Sequence, residues 1–204
     1  MTLYDLKPRF QALLRPLVAK LAAAGVTANQ VTLAACAVSI AVGAFVLANA
    51  QARWPFLLIP AWMAVRMALN AVDGMLAREF GQKSALGAYL NELTDVVADA
   101  ALVVPFAAVA PFGPASVGAV VLLAALSEMA GALGPMVGAT RRYDGPMGKS
   151  DRAAVFGALG LWTGVVPALP GAAFWILPAV AAAIALNVVH RVRAGVAEAG
   201  AAGR

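Results

Sequence analysis

Residues 70–99 place a run of polar side chains inside a chain that is otherwise strongly apolar. Asn70 and Asp73 are three residues apart, while Asn91, Asp95 and Asp99 are spaced by four. On two predicted helices, each set therefore lies along one face. An antiparallel helix pair joined by a short loop can aim these oxygen atoms at one point. Clustered carboxylate and amide oxygens suit a hard cation, so the sequence predicts a site for Mg²⁺ or Mn²⁺ here.

Two neighbouring residues indicate a phosphate-bearing ligand. Gly74 has no side chain and lets a ligand approach the helix backbone closely. Arg78, about one helical turn further on, could hold a phosphate. The alternative is a solvated loop with structural ion pairs, which explains Glu79 and Lys83 but gives no reason for the facing Asp and Asn residues. Charged side chains at membrane depth cost roughly 2.5–3.5 kcal/mol each, so the cluster requires a functional reason.

The composition identifies the broad class of protein. Of 204 residues, 62% are hydrophobic and 12% are charged, whereas a soluble domain has about 25% charged residues. This is the composition of an integral membrane protein, and about six spans of roughly 20 residues would use most of the chain. The net charge of +5 then indicates contact with anionic membrane lipid and no nucleic acid as partner.

The sequence predicts an all-α polytopic membrane protein with six transmembrane helices preceded by an interfacial amphipathic helix. Basic and apolar residues alternate at helical spacing over 4–24, which is typical of a helix lying in the membrane interface. Pro8 and Pro16 are expected to break this helix into shorter pieces. Thr27 or Asn29 is expected to cap the first span. The predicted spans cover residues 31–50, 55–77, 85–109 and 115–138, with two more in 153–189 divided at Pro167, Pro170 and Gly171.

We accordingly divide the chain into an amphipathic helix at 1–26, a membrane domain at 27–194 and a C-terminal tail at 195–204. With six spans, both termini and the loops after spans two and four share one side of the membrane. Every basic residue except Arg53 and Arg66 falls on that side, which the positive-inside rule makes cytoplasmic. Arg66 and Glu128 lie within spans and are expected to pair with each other or with the site; a structural and a catalytic role both remain open.

The spacing of the polar run resembles the signature of the CDP-alcohol phosphotransferase family, D-x2-D-G-x2-A-R-x8-G-x3-D-x3-D. Six of its eight fixed positions match with the full spacing, and both departures replace Asp by Asn. The stretch "TANQVT" at 27–32 is similar to the family's entry to the first span, with Ala28 where Pro is usual. The resemblance extends from about residue 27 to residue 193. The eight positions are Asn70, Asp73, Gly74, Ala77, Arg78, Gly87, Asn91 and Asp95.

The resemblance implies an inner-membrane enzyme of phospholipid biosynthesis, commonly a homodimer, with its active site on the cytoplasmic face. The donor would be CDP-diacylglycerol or another CDP-alcohol, which loses CMP while its phosphoalcohol group passes to an acceptor hydroxyl. The resemblance also implies two Mg²⁺ or Mn²⁺ ions around the diphosphate and Asp95 as the base. The residues implied to line the nucleotide are Asp73, Gly74, Ala77, Arg78 and Gly87.

The two departures bear on the metal site, because two carboxylates remain where the signature has four. Asn70 and Asn91 can still offer carbonyl oxygens, but the lost charge is expected to weaken metal binding. Glu92 and Asp99 can share a helical face with Asp95 and are expected to compensate. A catalytically silent lipid- or nucleotide-binding homologue and a small transporter are the alternative functions. A measurement of turnover would distinguish the enzyme from the silent homologue. Metal binding that depends on nucleotide would distinguish both of them from the transporter.

A second polar segment, residues 141–152, is expected to bind the polar acceptor alcohol and could hold its phosphate if it has one. A lipid hydroxyl or an uncharged alcohol stays open as the acceptor. Simple positive-inside anchoring is the alternative explanation for the charge of this segment. The residues expected to contact the acceptor are Arg141, Arg142, Lys149 and Arg152.

Overall fold

The structure is a computed structural model that describes the backbone of residues 3–202 and the side chains of residues 10–201. Within residues 3–202 it contains helices and no strand. Of the basic residues used above to orient the chain, the side chains of Lys7 and Arg9, and all of Arg204, lie outside the described part. The α-helices are α1 (Leu3–Ala23), α2 (Ala28–Ala48), α3 (Leu58–Glu79), α4 (Ala85–Val103), α5 (Pro114–Ala132), α6 (Lys149–Val165) and α7 (Ile176–Ala202).

Four helical segments in the described part are long and apolar enough to cross a membrane. They correspond to the first, second, fourth and sixth predicted spans. The third predicted span is α4, which carries three acidic residues, and the fifth is α6, which has only 17 residues. The all-helical class is therefore confirmed for the described residues, four of the predicted spans are found as candidate spans, and the count of six stays a prediction. The four segments are Ala28–Ala48, Trp54–Glu79, Pro114–Ala132 and Gly171–Ala201.

Two predicted spans are shorter as α-helices than their sequence pattern indicated. The third was expected to reach residue 109, but α4 ends at Val103 and a 3₁₀ helix covers Val104–Ala108. Pro105 has no N–H group to continue the α-helical hydrogen bonding. The fourth was expected to reach residue 138, but α5 ends at Ala132, before a 3₁₀ helix at Gly134–Val137 that also contains a proline.

The N-terminal helix α1 is continuous through Pro8 and Pro16, which corrects the expected break. Contacts to α3 on both sides of Pro16 explain why the helix persists. Val18 is fully buried in a cluster with α3 residues. Arg15 donates two hydrogen bonds to the carboxylate of Glu79, at 3.0 and 3.1 Å. The interfacial location of α1 stays a prediction.

Helix α2 packs against both α3 and α4, while those two helices make little direct contact with each other. A glycine allows α2 to approach α4 closely. A Cβ atom on Gly43 would lie 2.1 Å from the carbonyl oxygen of Ala101. On the other side of the molecule, α5 packs against α7 and α3 packs against α6. The polar faces of α3 and α4 therefore flank a gap in the bundle.

Local hydrogen bonds fix the end of the bundle where α3 ends and α4 begins. Thr27 caps α2, as predicted, and accepts from the backbone N–H of Gln30 at 3.2 Å. Ser84 caps α4 by accepting from Gly87 N at 2.9 Å. Gln82, in the α3–α4 connection, accepts from Ala28 N at 2.7 Å. The bond between Gln82 and Ala28 ties the α3–α4 connection to the start of α2. The end of α3 and the start of α4 are therefore held beside α2.

Three aromatic side chains pack together away from the α3–α4 connection. Phe106 lies between Phe56 and Phe156, with ring centroids 5.2 and 5.6 Å away, and all three side chains are fully buried. Phe56 precedes α3 and Phe106 follows α4, so this aromatic cluster is at the far end from the α3–α4 connection. Its offset ring geometry is favourable for packing.

Candidate active site

Asp73 is the most enclosed of the signature residues. It is buried, and its carboxylate accepts a hydrogen bond from the Thr32 hydroxyl at 2.8 Å. Asn70, one turn earlier on α3, is half-buried, and Asn91 on α4 is exposed. The charges of Asp95 and Lys149 also act on Asp73, so the α3 and α4 sites share one electrostatic environment. Thr32 is a site residue that the sequence analysis did not single out, although it is the last residue of "TANQVT".

Two signature glycines provide room for polar groups. A Cβ on Gly74 would lie 2.7 Å from Nη2 of Arg78, because the Arg78 guanidinium folds back over the glycine. A Cβ on Gly87 would lie 2.8 Å from Oδ1 of Asn29. Arg78 is exposed and forms no ion pair with any side chain in residues 10–201. This cradle can therefore offer an uncompensated cation to a phosphate group.

The expected base, Asp95, is held by two cations. Its Oδ1 lies 3.0 Å from Nη2 of Arg66, and its Oδ2 contacts the ammonium group of Lys149. Arg66 also contacts Asp99, so one guanidinium joins α3 to two carboxylates of α4. This confirms that Arg66 pairs with the site, and it does not contact Glu128 directly.

Glu128 is the centre of a second group of contacts. Its carboxylate lies 2.8 Å from Arg152, 3.4 Å from Arg191 and 3.5 Å from Arg141. Glu128 is only 7% exposed, and Arg152 and Arg191 are also buried. Because Arg152 reaches Asp99 at 3.4 Å, the two groups form one array. We call this array the charge network; its members are Arg66, Arg141, Lys149, Arg152, Arg191, Glu92, Asp95, Asp99 and Glu128.

The structure brings most of the predicted acceptor residues into the charge network but not Arg142. Arg141 contacts Glu92 at 2.6 Å. Arg142 instead pairs with Asp144 at 2.8 Å and with Glu198 on α7. The hydrogen bond from Arg142 lowers the pKa of Asp144 below its ordinary value. The signature residue Ala77 is half-buried one residue before Arg78.

Arg191 is the member of the charge network that sequence reasoning missed. It was counted only among the basic residues that orient the chain. In the structure it also donates a hydrogen bond to the carbonyl oxygen of Ser127 at 2.6 Å. A local pattern could not reveal this, because α7 lies far from α5 in the sequence.

The donor set of the site determines how well it fits a divalent ion. No group of three or more His, Cys, Asp or Glu residues suited to a metal ion occurs within the described residues. The signature positions offer two carboxylates, Asp73 and Asp95, and two amides, Asn70 and Asn91. Asp95 already pairs with Arg66 and Lys149, so its charge reaches an ion only when one of these cations withdraws. Hard ions accept both kinds of oxygen. The residues therefore fit a single ion better than two.

Comparisons with known proteins identify the family of the chain. Residues 25–190 match the family described as CDP-alcohol phosphatidyltransferase. The chain is also 47% identical, over 171 residues, to the inner membrane protein YnbA of Escherichia coli (strain K12). That match covers 82% of this chain and 83% of the relative. The chain belongs to the CDP-alcohol phosphatidyltransferase family.

Proposed function

We propose that this protein transfers a phosphatidyl group from CDP-diacylglycerol, or a related phosphoalcohol from another CDP-alcohol, to an acceptor hydroxyl. CMP is the second product, and the reaction belongs to phospholipid biosynthesis. The observation that carries the proposal is the arrangement of two polar helix faces across a gap. One face has Asp73 with the Gly74–Arg78 cradle, and the other has Asp95.

The cradle is suited to the diphosphate of the donor. Arg78 has no internal carboxylate partner within residues 10–201, so its charge is available to a phosphate oxygen. Guanidinium groups bind phosphate through two parallel hydrogen bonds. Gly74 and Gly87 leave space beside the helix backbones for the ligand. We expect the nucleotide to lie between the end of α3 and the start of α4, lined also by Ala77.

Asp95 is the group that we expect to receive the acceptor's proton. Arg66 is buried and holds Oδ1, whereas Lys149 reaches Oδ2 on a flexible stem. When Lys149 turns away, Oδ2 can accept the hydroxyl proton. The acceptor oxygen then bonds to the phosphorus of the phosphoalcohol group, the bond from that phosphorus to the bridging oxygen breaks, and CMP leaves with that oxygen. Such general-base help is worth about 10²–10⁴-fold in rate.

A divalent ion fits this scheme, and we propose Mg²⁺ or Mn²⁺. Asp73 and Asp95 would hold it, with carbonyl oxygens from Asn70 and Asn91. When bound, the ion would neutralise charge on the diphosphate and on departing CMP. Glu92 and Asp99 are engaged by Arg141 and by Arg66 and Arg152. Asp95 is engaged in the same way by Arg66 and Lys149. Each of these three carboxylates would therefore bind the ion only after releasing a protein cation, whereas Asp73 forms no ion pair within residues 10–201.

The cellular setting of the proposal follows from the helices and the charge pattern. We propose that the protein spans the inner membrane, in contact with lipid, with both termini and the active site on the cytoplasmic side. A homodimer is expected from the family alone.

The test is CMP release by the full-length protein, purified in detergent or lipid, with CDP-diacylglycerol and Mg²⁺ or Mn²⁺. The acceptor panel contains glycerol, glycerol 3-phosphate, inositol, inositol phosphate and serine. We expect acceptor-dependent CMP release that falls by about 10²-fold or more in Asp95→Asn. Glu79→Gln, which removes an exposed carboxylate outside the site, serves as the matched control.

Equal CMP release by wild type and Asp95→Asn would refute the role of Asp95. Saturable nucleotide binding without CMP release across the panel would instead favour a silent binding homologue.

A further inference from the structure

The acceptor side of the site contains many basic residues, but each is already paired with an acidic residue of this chain. Lys149 contacts Asp95, and Arg141 contacts Glu92 at 2.6 Å. Arg152 contacts Glu128 at 2.8 Å, the shortest of the three guanidinium contacts to that carboxylate. A ligand that enters here therefore meets compensated charges.

Glu128 lies at the centre of these paired charges. Its carboxylate lies among three guanidinium groups, which is the position that an anionic headgroup would need. Because Glu128 is buried with Arg152 and Arg191, it cannot move into solvent to make room. An incoming phosphate would face Glu128 and Asp99 at close range. Like-charge repulsion of this kind is a common way to reject a ligand.

On the donor side of the same site, the basic residues are unpaired within residues 10–201. Arg78 and Lys83 are exposed and form no ion pair with the side chains of residues 10–201. Positive charge is thus uncompensated where the diphosphate is expected. Where the acceptor is expected, carboxylates balance it. In the charge network, each of the five cations lies within 4.0 Å of at least one of the four carboxylates.

The acceptor region still retains hydrogen-bonding capacity. The Nε atoms of Arg141, Arg152 and Arg191 are buried and have no partner among the described residues. Because these atoms have almost no exposed surface, a hydroxyl or water oxygen can accept from them only after the guanidinium groups shift, and such an oxygen brings no charge. A polar but uncharged ligand would therefore match both the donors and the charge balance.

We infer that the acceptor is an uncharged alcohol, such as a polyol, and not a phosphorylated one. This inference rests on the proposed transferase function and specifies its substrate class. It assigns Glu128 a specificity role: its carboxylate occupies the position in which a phosphorylated acceptor would place its anion. Arg141, Lys149 and Arg152 would then contact hydroxyl groups instead of a phosphate.

The first experiment compares matched acceptors that differ only in a phosphate: glycerol with glycerol 3-phosphate, and inositol with inositol 1-phosphate. CMP release is measured with wild-type protein and CDP-diacylglycerol. We expect kcat/KM for one uncharged member to exceed that of its phosphorylated partner by about tenfold or more. CMP release that prefers the phosphorylated member would overturn this inference and leave the transferase function standing. Absence of CMP release with every acceptor would overturn the transferase function.

The second experiment measures binding of glycerol 3-phosphate by isothermal titration and does not need turnover. Wild type should show no saturable binding at millimolar concentration. Glu128→Gln should gain it, because three guanidinium groups lose their central carboxylate. Glu79→Gln is the control and should behave like wild type. Saturable binding by wild type would overturn the inference, and this measurement remains decisive even where Glu128→Gln fails to fold.

Discussion

Nη2 of Arg66 lies 3.0 Å from Oδ1 of Asp95, and the same guanidinium contacts Asp99. Since α3 and α4 make little direct contact, this pair of contacts is a principal link across the gap between them. The buried Arg66 guanidinium thereby orients the carboxylate of Asp95, the expected base. Its loss should therefore affect both folding and catalysis.

Replacing Arg66 by Met should destabilise the protein by about 1–3 kcal/mol. Asp95 and Asp99 lose a buried partner but keep their contacts with Lys149 and Arg152. Equilibrium unfolding in mixed detergent micelles measures this change. Arg15→Met is the control: its pair with Glu79 is exposed, and such pairs contribute about 0–1 kcal/mol. Equal stability of the two variants would contradict the structural importance of Arg66.

Replacing Thr32 by Val should lower stability by about 1.5–3 kcal/mol, because Asp73 loses a hydrogen bond to a charged oxygen. The rate of CMP release should fall as well, since Asp73 then lacks its positioning contact. Thr32→Ser retains the hydroxyl and should recover most of both properties. Equal stability and equal CMP release in the Val and Ser variants would show that the Thr32–Asp73 hydrogen bond contributes to neither.

Restoring carboxylates at positions 70 and 91 should strengthen metal binding. The double variant Asn70→Asp, Asn91→Asp adds two negative charges to the donor set, and ligand charge tunes affinity over orders of magnitude. We expect Mn²⁺ binding, followed by electron paramagnetic resonance, to tighten about tenfold or more. Asn49→Asp changes an exposed amide at the far end of α2 and should leave the affinity unaltered. Unchanged binding in the double variant would remove these positions from the metal site.

Adding a methyl group at Gly43 should destabilise the helix packing. The new Cβ would meet the Ala101 carbonyl oxygen at 2.1 Å, so α2 and α4 must separate. Overpacking of this kind costs about 1–3 kcal/mol. Gly118→Ala, on α5, meets nothing within 4 Å and should stabilise by about 0.4–1 kcal/mol through helix propensity. Thermal unfolding of both variants gives the sign of each effect, and two equal shifts would contradict the packing argument.

The ion pair between Arg142 and Asp144 should add a small, pH-dependent stability. Because Arg142 lowers the pKa of Asp144 in the folded state, this stability is present above the ordinary Asp pKa of about 3.9. It is lost as the pH falls through the lowered value. The stability difference between wild type and Asp144→Asn should therefore be constant from neutral pH to about pH 5 and shrink below that. A difference that grows on acidification would contradict the assignment.

The sequence predicted those features that depend on local pattern. The Thr27 cap follows from residue types within one turn. The family relationship follows from the spacing of residues 70–95. The end of α4 was misplaced because an unbroken apolar pattern continues past Pro105, where the α-helical hydrogen bonding cannot. Likewise, the two prolines of α1 indicated breaks, and at Pro16 the contacts of Arg15 and Val18 with α3, which no local pattern reveals, favour a continuous helix.

The charge network could not be predicted, because its contacts join residues that are distant in the chain. Glu128 was recognisable as a charge within a span, but its three guanidinium partners come from residues 141, 152 and 191. A sequence pattern gives the face of a helix and not the neighbour that the face meets. For the same reason, the basic residues at 141–152 read as available cations although the structure pairs them internally.

The aromatic cluster of Phe56, Phe106 and Phe156 has a consequence for membrane permeability. A pocket with many charged groups can hold water, and a chain of water molecules that crossed the bundle would conduct protons. The three rings offer such a chain no polar atom at the far end of the bundle, where they pack with centroids 5.2 and 5.6 Å apart. Phe156 lines the same cavity as Asp99, Glu128 and Arg152, so water held beside those charges meets an apolar wall there.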